Sequence, residues 1–119
     1  MNGGTVLIVD DNAEFRQLAR RLLERGGYDV VAEAEDAAGA VRAYAALRPG
    51  IVLLDVQLPD LDGFAIAETL AAEPEPPIVV LISSRDRGAY RRKLAATPAR
   101  AFLPKGELSL QTFDQAVGS

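Results

Sequence analysis

Short apolar runs in this chain stop where a functional-looking polar residue begins. Thr5-Val6-Leu7-Ile8-Val9 is followed by Asp10 and Asp11, and Ile51-Val52-Leu53-Leu54 by Asp55. Ile78-Val79-Val80-Leu81-Ile82 is followed by Ser83, and Ala101-Phe102-Leu103 runs through Pro104 into Lys105. Short apolar runs separated by longer amphipathic stretches predict parallel strands buried on both faces, with helices between them. In such a sheet the carboxyl ends of the strands share one edge, where ligands bind. The polar residues at those ends are therefore expected to converge on one small pocket, chemically suited to a divalent cation and a phosphoryl group.

The helices follow from stripes and stops. Residues 13 to 25 carry Phe15, Leu18, Ala19, Leu22 and Leu23 on one side, with Asn12 as N-cap and Gly26-Gly27 as a stop. Val30 to Ala34 reads as a second strand. Asp36 caps a second helix to about Arg48, with Val41, Tyr44 and Leu47 as its expected inner face and Gly39 costing it about 1 kcal/mol relative to Ala. Leu58-Pro59-Asp60-Leu61-Asp62-Gly63 is turn chemistry, and a third helix follows from about Phe64 to Ala72 with Phe64, Ala67 and Leu70 inward. The stretch from Ser84 to Arg100 holds a helix with a thin apolar stripe, Tyr90 and Leu94. After the last strand comes a short helix with Leu110, Phe113 and Val117 on its inner face. Strand and helix thus alternate five times, which predicts a single α/β domain over residues 1–119: a flavodoxin-like, doubly wound, five-stranded parallel sheet covered by helices on both faces.

Composition narrows the chemistry. The chain has no cysteine, so neither a disulfide nor a thiolate metal site is available, and no histidine, the commonest general base and transition-metal ligand. A net charge of −4 and few aromatic residues argue against nucleic-acid binding by this domain. No apolar run approaches the length of a membrane span, and Met-Asn-Gly-Gly lacks a signal-peptide pattern, so a cytoplasmic protein without membrane contact is expected. Eleven of the thirteen basic residues are Arg, which draws attention to the two lysines, Lys93 and Lys105.

Asp10 and Asp11 are adjacent carboxylates at a strand end, and Asp55 on a neighbouring strand adds a third. Like charges this close are costly unless a cation or proton neutralises them, and a hard divalent ion with oxygen ligands answers that cost. Singly, each residue has a plainer reading: Asp10 and Asp11 as helix caps, Asp55 as a turn start, Ser83 as loop, Lys105 as a solvated charge. Together, at four strand ends, they form a site.

The motifs Val6-Leu7-Ile8-Val9-Asp10-Asp11-Asn12, Val52-Leu53-Leu54-Asp55-Val56-Gln57-Leu58-Pro59, Leu61-Asp62-Gly63, Leu81-Ile82-Ser83-Ser84 and Phe102-Leu103-Pro104-Lys105 resemble, end to end, the receiver domain of bacterial two-component response regulators. The spacings fit as well: 45 positions from Asp10 to Asp55, 28 on to Ser83 and 22 on to Lys105. Phe102-Leu103-Pro104-Lys105-Gly106-Glu107-Leu108 is similar to the branch whose members often carry a helix-turn-helix output domain.

The resemblance implies a phospho-accepting switch. Asp55 is the nucleophile that takes a phosphoryl group from a phosphohistidine. Asp11, Asp55 and the main-chain carbonyl of Gln57 hold Mg²⁺, with Asp10 acting mainly through water. Lys105 pairs with a phosphoryl oxygen, Ser83 hydrogen-bonds another, and Phe102 stands at the aromatic position coupled to that hydroxyl, where many members have Tyr. Gln57 and Arg85 sit where side chains gate hydrolytic water. Implied partners are a sensor histidine kinase or phosphotransfer protein, an output protein or domain that the sequence does not name, and a homodimer on phosphorylation, although the short last helix weakens a dimer built on it.

Two departures accompany the resemblance. Pro104 precedes Lys105 and Gly106 follows it, where many receivers have Pro after the Lys; a cis bond at Lys105–Gly106 would cost about 3 kcal/mol, so none is assumed. Gln57 stands where an aspartyl-phosphate phosphatase would place its acid–base Asp, which disfavours that enzymatic alternative. A phosphate-independent interaction module is the other alternative. The basic stretch Arg85, Arg87, Arg91, Arg92, Lys93 and Arg100 reads equally as a partner-binding face or as a solvated one.

Overall fold

Alternate residues of the apolar runs face opposite ways, and the two sets build two cores. Leu7, Val9, Val52, Leu54, Val79, Leu81 and Phe102 belong to one, and Val6, Ile8, Ile51, Leu53, Val80, Ile82 and Leu103 to the other. This is the period of two expected of strands covered on both faces. In the computed structural model, which describes residues 4–118, the strands are β1 (Thr5–Val9), β2 (Asp29–Ala34), β3 (Ile51–Asp55), β4 (Ile78–Ser83) and β5 (Ala101–Pro104). All pair in parallel, in the order β2-β1-β3-β4-β5. Met1-Asn2-Gly3, part of the start read above for a signal pattern, and Ser119 lie outside the described residues. No helix among those described is long and apolar enough to cross a membrane.

The helices are α1 (Ala13–Arg25), α2 (Ala37–Leu47), α3 (Gly63–Ala71), α4 (Arg91–Ala96) and α5 (Leu110–Gly118). Residues of α1 and α5 (Ala19, Leu23, Phe113) join one core, while those of α2 and α3 (Ala40, Tyr44, Phe64, Leu70) join the other, together with Tyr90 and Leu94. The expected flavodoxin-like, doubly wound architecture is the observed one.

The caps follow local chemistry. Asn12 accepts from the Phe15 N–H at 3.1 Å, Asp36 from Gly39 at 2.7 Å and Asp62 from Ala65 at 2.9 Å, each supplying an oxygen to an otherwise unpaired first-turn donor. Asp60 reaches across from the loop after β3 to the Ala37 and Ala38 N–H groups, at 2.8 and 3.1 Å. Those bonds, the Ala37 N–H foremost, hold the Asp60 carboxyl below its ordinary range. Gly27, with φ of +91°, turns the chain from α1 into β2 in a conformation that favours glycine.

Some inner faces differ from expectation. Leu18 (56% exposed), Val41 (42%) and Leu47 (49%) point outward. On α1 the sheet-facing line centres on Ala19 and Leu23, and Leu18 lies one residue, about 100° of rotation, off it. On α2 the buried line is Ala37, Ala40 and Tyr44; small residues let this helix lie close to the sheet, so Val41 falls outside the line and Leu47 sits beside the Arg48 C-cap. The segment after β4 is a 3-10 turn, Arg87–Tyr90, leading into the six-residue α4, and neither buries a residue fully. That is the structural form of the thin stripe.

Candidate functional site

The sheet reverses winding direction beside β1, whose neighbours β2 and β3 lie on opposite sides of it. The crevice at that switch point, outside the carboxyl ends of the strands, is where ligands bind in open α/β sheets. Asp10 and Asp11 follow β1, Asp55 ends β3, Ser83 ends β4 and Lys105 follows β5.

Asp10, Asp11 and Asp55 each offer a carboxylate oxygen, and these oxygens all lie within 4.8 Å of one another. Asp10 is fully buried and Asp55 nearly so, while Asp11 is exposed. Lys105 Nζ lies 2.6 Å from Asp10 Oδ2 and 3.6 Å from Asp55 Oδ2, and 4.6 Å from the centre of the Phe15 ring. The approach to Asp10 is an ion pair and not an aligned hydrogen bond: Asp10 Oδ2 is buried with no hydrogen-bond partner among the described residues. A buried, unsatisfied carboxylate oxygen beside two further carboxylates is a donor set that fits a hard divalent cation. Burial, more than any neighbour, pushes the Asp55 carboxyl up from 3.8 to about 6; the Gln57 N–H opposes the rise, the Asp10 charge adds to it and Lys105 offsets part of it.

Main-chain bonds hold these groups in place. The Asn12 N–H donates to Asp10 Oδ1 at 2.8 Å and the Gln57 N–H to Asp55 Oδ1 at 3.0 Å. After Asp55, the Val56 N–H donates to the Ile82 carbonyl at 2.9 Å and the Gly63 N–H to the Val56 carbonyl at 2.7 Å. A Cβ at Gly63 would collide with the Asp55 carbonyl oxygen, so α3 approaches the strand end this closely only because position 63 has no side chain.

Ser83 Oγ, fully buried, accepts from the Arg85 N–H at 3.1 Å and lies 2.9 Å from Tyr90 Oη. Phe102 is buried at 5% exposure, edge to face with Tyr90 and beneath the Arg87 guanidinium. The side chains of Gln57 and Arg85 are exposed, with their N–H groups committed to Asp55 and Ser83. Among the described residues every peptide bond is trans, that of Lys105–Gly106 included.

Sequence reasoning missed two supports of the site. Arg16 donates to the Asp10 main-chain oxygen at 2.6 Å and to Glu33 at 2.9 Å, fixing α1 to the ends of β1 and β2. Only its place on the first turns of α1, just after the acidic pair, hinted at this. Tyr90, read merely as part of a thin inner stripe, brings a phenolic hydroxyl to Ser83, and its spacing of seven residues from that serine carries no general signal.

A doubly wound parallel sheet with a cluster of carboxylates at its switch point defines a class of small α/β domains whose ligand site lies at the carboxyl edge of the sheet. Residues 6–117 match the family described as the response regulator receiver domain, and the chain belongs to that family. It is 38% identical over 79 residues to the chemotaxis protein CheY of Thermotoga maritima, a match covering 66% of each chain. It is 39% identical over 83 residues to protein-glutamate methylesterase/protein-glutamine glutaminase 3 of Hahella chejuensis, covering 70% of this chain and 24% of that protein. Among solved structures, the signal receiver domain of the response regulator NarL from Mycobacterium tuberculosis superimposes with a TM-score of 0.85 at 30% identity, covering all of both chains. The chain thus spans about a quarter of the methylesterase and two thirds of the chemotaxis protein. Receiver domains are not themselves an enzyme family. They work with histidine kinases or phosphotransfer proteins and with output domains.

Proposed function

We propose that this chain is a phosphorylation-controlled switch of a histidine-to-aspartate relay, with Asp55 as the acceptor and its own pocket as catalyst. The observation that carries this is the gathering of the Asp10, Asp11 and Asp55 carboxylate oxygens within 4.8 Å, with Lys105 beside two of them. An oxygen of ionised Asp55 attacks the phosphorus of a phosphohistidine on a sensor kinase or phosphotransfer protein. The new P–O bond forms as the P–N bond breaks, and the departing imidazole keeps the electron pair and takes up a proton. Such a transfer needs positioning and charge neutralisation more than covalent help from the protein.

The groups divide as follows. Asp11, Asp55 and the Gln57 carbonyl would hold Mg²⁺ directly and Asp10 through water; when bound, the ion neutralises charge on the transferring phosphoryl oxygens. Lys105, kept near Asp55 by its pairing with Asp10 and by the Phe15 ring, meets a phosphoryl oxygen as a compact positive charge. Ser83 donates to another. Gln57 and Arg85, exposed at the rim, set the access of hydrolytic water and hence the phosphoryl lifetime. Phosphorylation then changes the affinity of an output protein or domain, or of a second copy of the chain, in a cytoplasmic setting and without direct nucleic-acid contact by this domain.

Intact-mass measurement after incubation with Mg²⁺ and acetyl phosphate tests the reading, with Asp55→Asn as control. A single phosphoryl adduct on the parent alone is expected. A folded parent that takes no adduct at any Mg²⁺ concentration would leave a phosphate-independent interaction module.

A further inference from the structure

Phe102, at the aromatic position on β5, has no hydroxyl, yet a phenolic hydroxyl reaches Ser83 from another element. Tyr90 ends the 3-10 turn after β4, and its Oη lies 2.9 Å from Ser83 Oγ. Its ring is wedged edge to face between Phe64 and Phe102, with centroids 5.6 and 5.8 Å away. We infer that Tyr90 is a positioning residue for Ser83: it holds the Ser83 hydroxyl proton in the unphosphorylated protein and releases it when a phosphoryl group occupies Asp55. This rests on the switch reading above.

Proton counting supports the assignment. A serine hydroxyl has one hydrogen and two lone pairs, and the Arg85 N–H occupies one lone pair of Ser83. Ser83 is fully buried, so its hydrogen has no route to bulk water, and Tyr90 Oη is the acceptor found beside it among the described residues. Tyr90 itself is only partly buried. Phosphoryl oxygens only accept, so Ser83 can bond one only by donating. Donation to Tyr90 and donation to the phosphoryl group are therefore mutually exclusive, and the Ser83–Tyr90 contact survives phosphorylation only with Tyr90 as donor.

The energetic consequence has a definite sign. Removing the phenolic oxygen leaves a buried Ser83 donor unsatisfied in the resting state, whereas in the phosphorylated state Ser83 keeps a charge-assisted partner. Loss of the Tyr90 hydroxyl therefore penalises the resting form more and shifts the equilibrium towards the phosphorylated form. Because α4 begins at the next residue, Arg91, the same hydroxyl ties the state of Ser83 to the start of that helix and to the basic side chains of Arg91, Arg92 and Lys93.

The test is titration of the full chain with beryllofluoride, a phosphoryl mimic, at fixed saturating Mg²⁺, for the parent, Tyr90→Phe, Ser83→Ala and the double variant. Tyr90→Phe keeps the ring between Phe64 and Phe102, and its apparent affinity is expected to rise about 3- to 10-fold, the net worth of one hydrogen bond. In the Ser83→Ala background the same substitution is expected to change nothing, a pattern that a merely structural role for Tyr90 would not produce. Unchanged or weaker binding by Tyr90→Phe, or an equal gain in the Ser83→Ala background, would overturn the inference while leaving the switch intact. A folded parent that takes up no beryllofluoride would overturn the switch reading and this inference together.

Discussion

Lys105 Nζ lies 2.6 Å from a buried Asp10 oxygen that has no hydrogen-bond partner among the described residues, and only 3.6 Å from Asp55. The ammonium thus stands in for part of the positive charge that three clustered carboxylates require. Lys105→Met removes it without removing bulk. The metal-free variant is expected to lose about 3 kcal/mol, the typical cost of leaving one buried charge unpaired. Mg²⁺, no longer opposed by a neighbouring cation, is expected to bind about 3- to 10-fold tighter. Urea unfolding without metal and calorimetric Mg²⁺ titration read the two effects, and weaker Mg²⁺ binding would count against the electrostatic account.

The Asp55 carboxyl, raised from 3.8 to about 6 chiefly by burial, makes stability depend on pH in a definite direction. Its folded-state value lies above the unfolded one, so its favourable contribution is complete below pH 3.8 and is lost as pH rises through about 6. The loss amounts to at most about 3 kcal/mol. In metal-free buffer at pH 7.5, Asp55→Asn is therefore expected to be more stable than the parent, with the gap closing towards pH 4. Urea midpoints measured across that range decide it; a gap independent of pH would show that ionisation of Asp55 is not the cause.

Gly63 packs where a methyl group would meet the Asp55 carbonyl oxygen. Gly63→Ala forces backbone against backbone, which flexible side chains cannot relieve, so a loss of about 1–3 kcal/mol is expected. Because the displaced atoms belong to the acceptor residue, acetyl phosphate should also label the variant more slowly than the parent at a temperature where both are folded.

Arg16 and Glu33 form a partly buried pair at 2.9 Å whose arginine also bonds the Asp10 main chain at 2.6 Å. A double-mutant cycle of Arg16→Ala and Glu33→Ala is expected to show a coupling of about 1 kcal/mol. Each single loss has a second part: Arg16→Ala also removes the bond to the Asp10 main chain, and Glu33→Ala also removes the 2.7 Å pair with Arg20. A coupling near zero would argue that the Arg16–Glu33 pair contributes nothing to stability.

Strand positions, and with them the placing of Asp10, Asp55 and Ser83 at strand ends, were legible because a strand buried on both faces must be apolar at every position. The run therefore ends visibly where Asp55 or Ser83 begins. Helix starts at Asn12, Asp36 and Asp62 were legible because capping is local. The inner faces of α1 and α2 were less so. Val41 and Leu18 are as apolar as the residues that are buried, and which side a helix presents depends on how closely it lies against the sheet; on α2 the small Ala37 and Ala40 decide that.

The sequence by itself determined the alternating α/β order, the doubly wound class and the residue types brought to one edge of the sheet, because these depend on periodicity and on chemistry close in the chain. Tertiary structure alone decided the pairing of Lys105 with Asp10 across 95 positions, the bracing of Asp10 by Arg16 and the bond between Ser83 and Tyr90. Those are directional contacts of a few ångströms between side chains on different elements. They depend on rotamers and strand register that no one-dimensional pattern encodes.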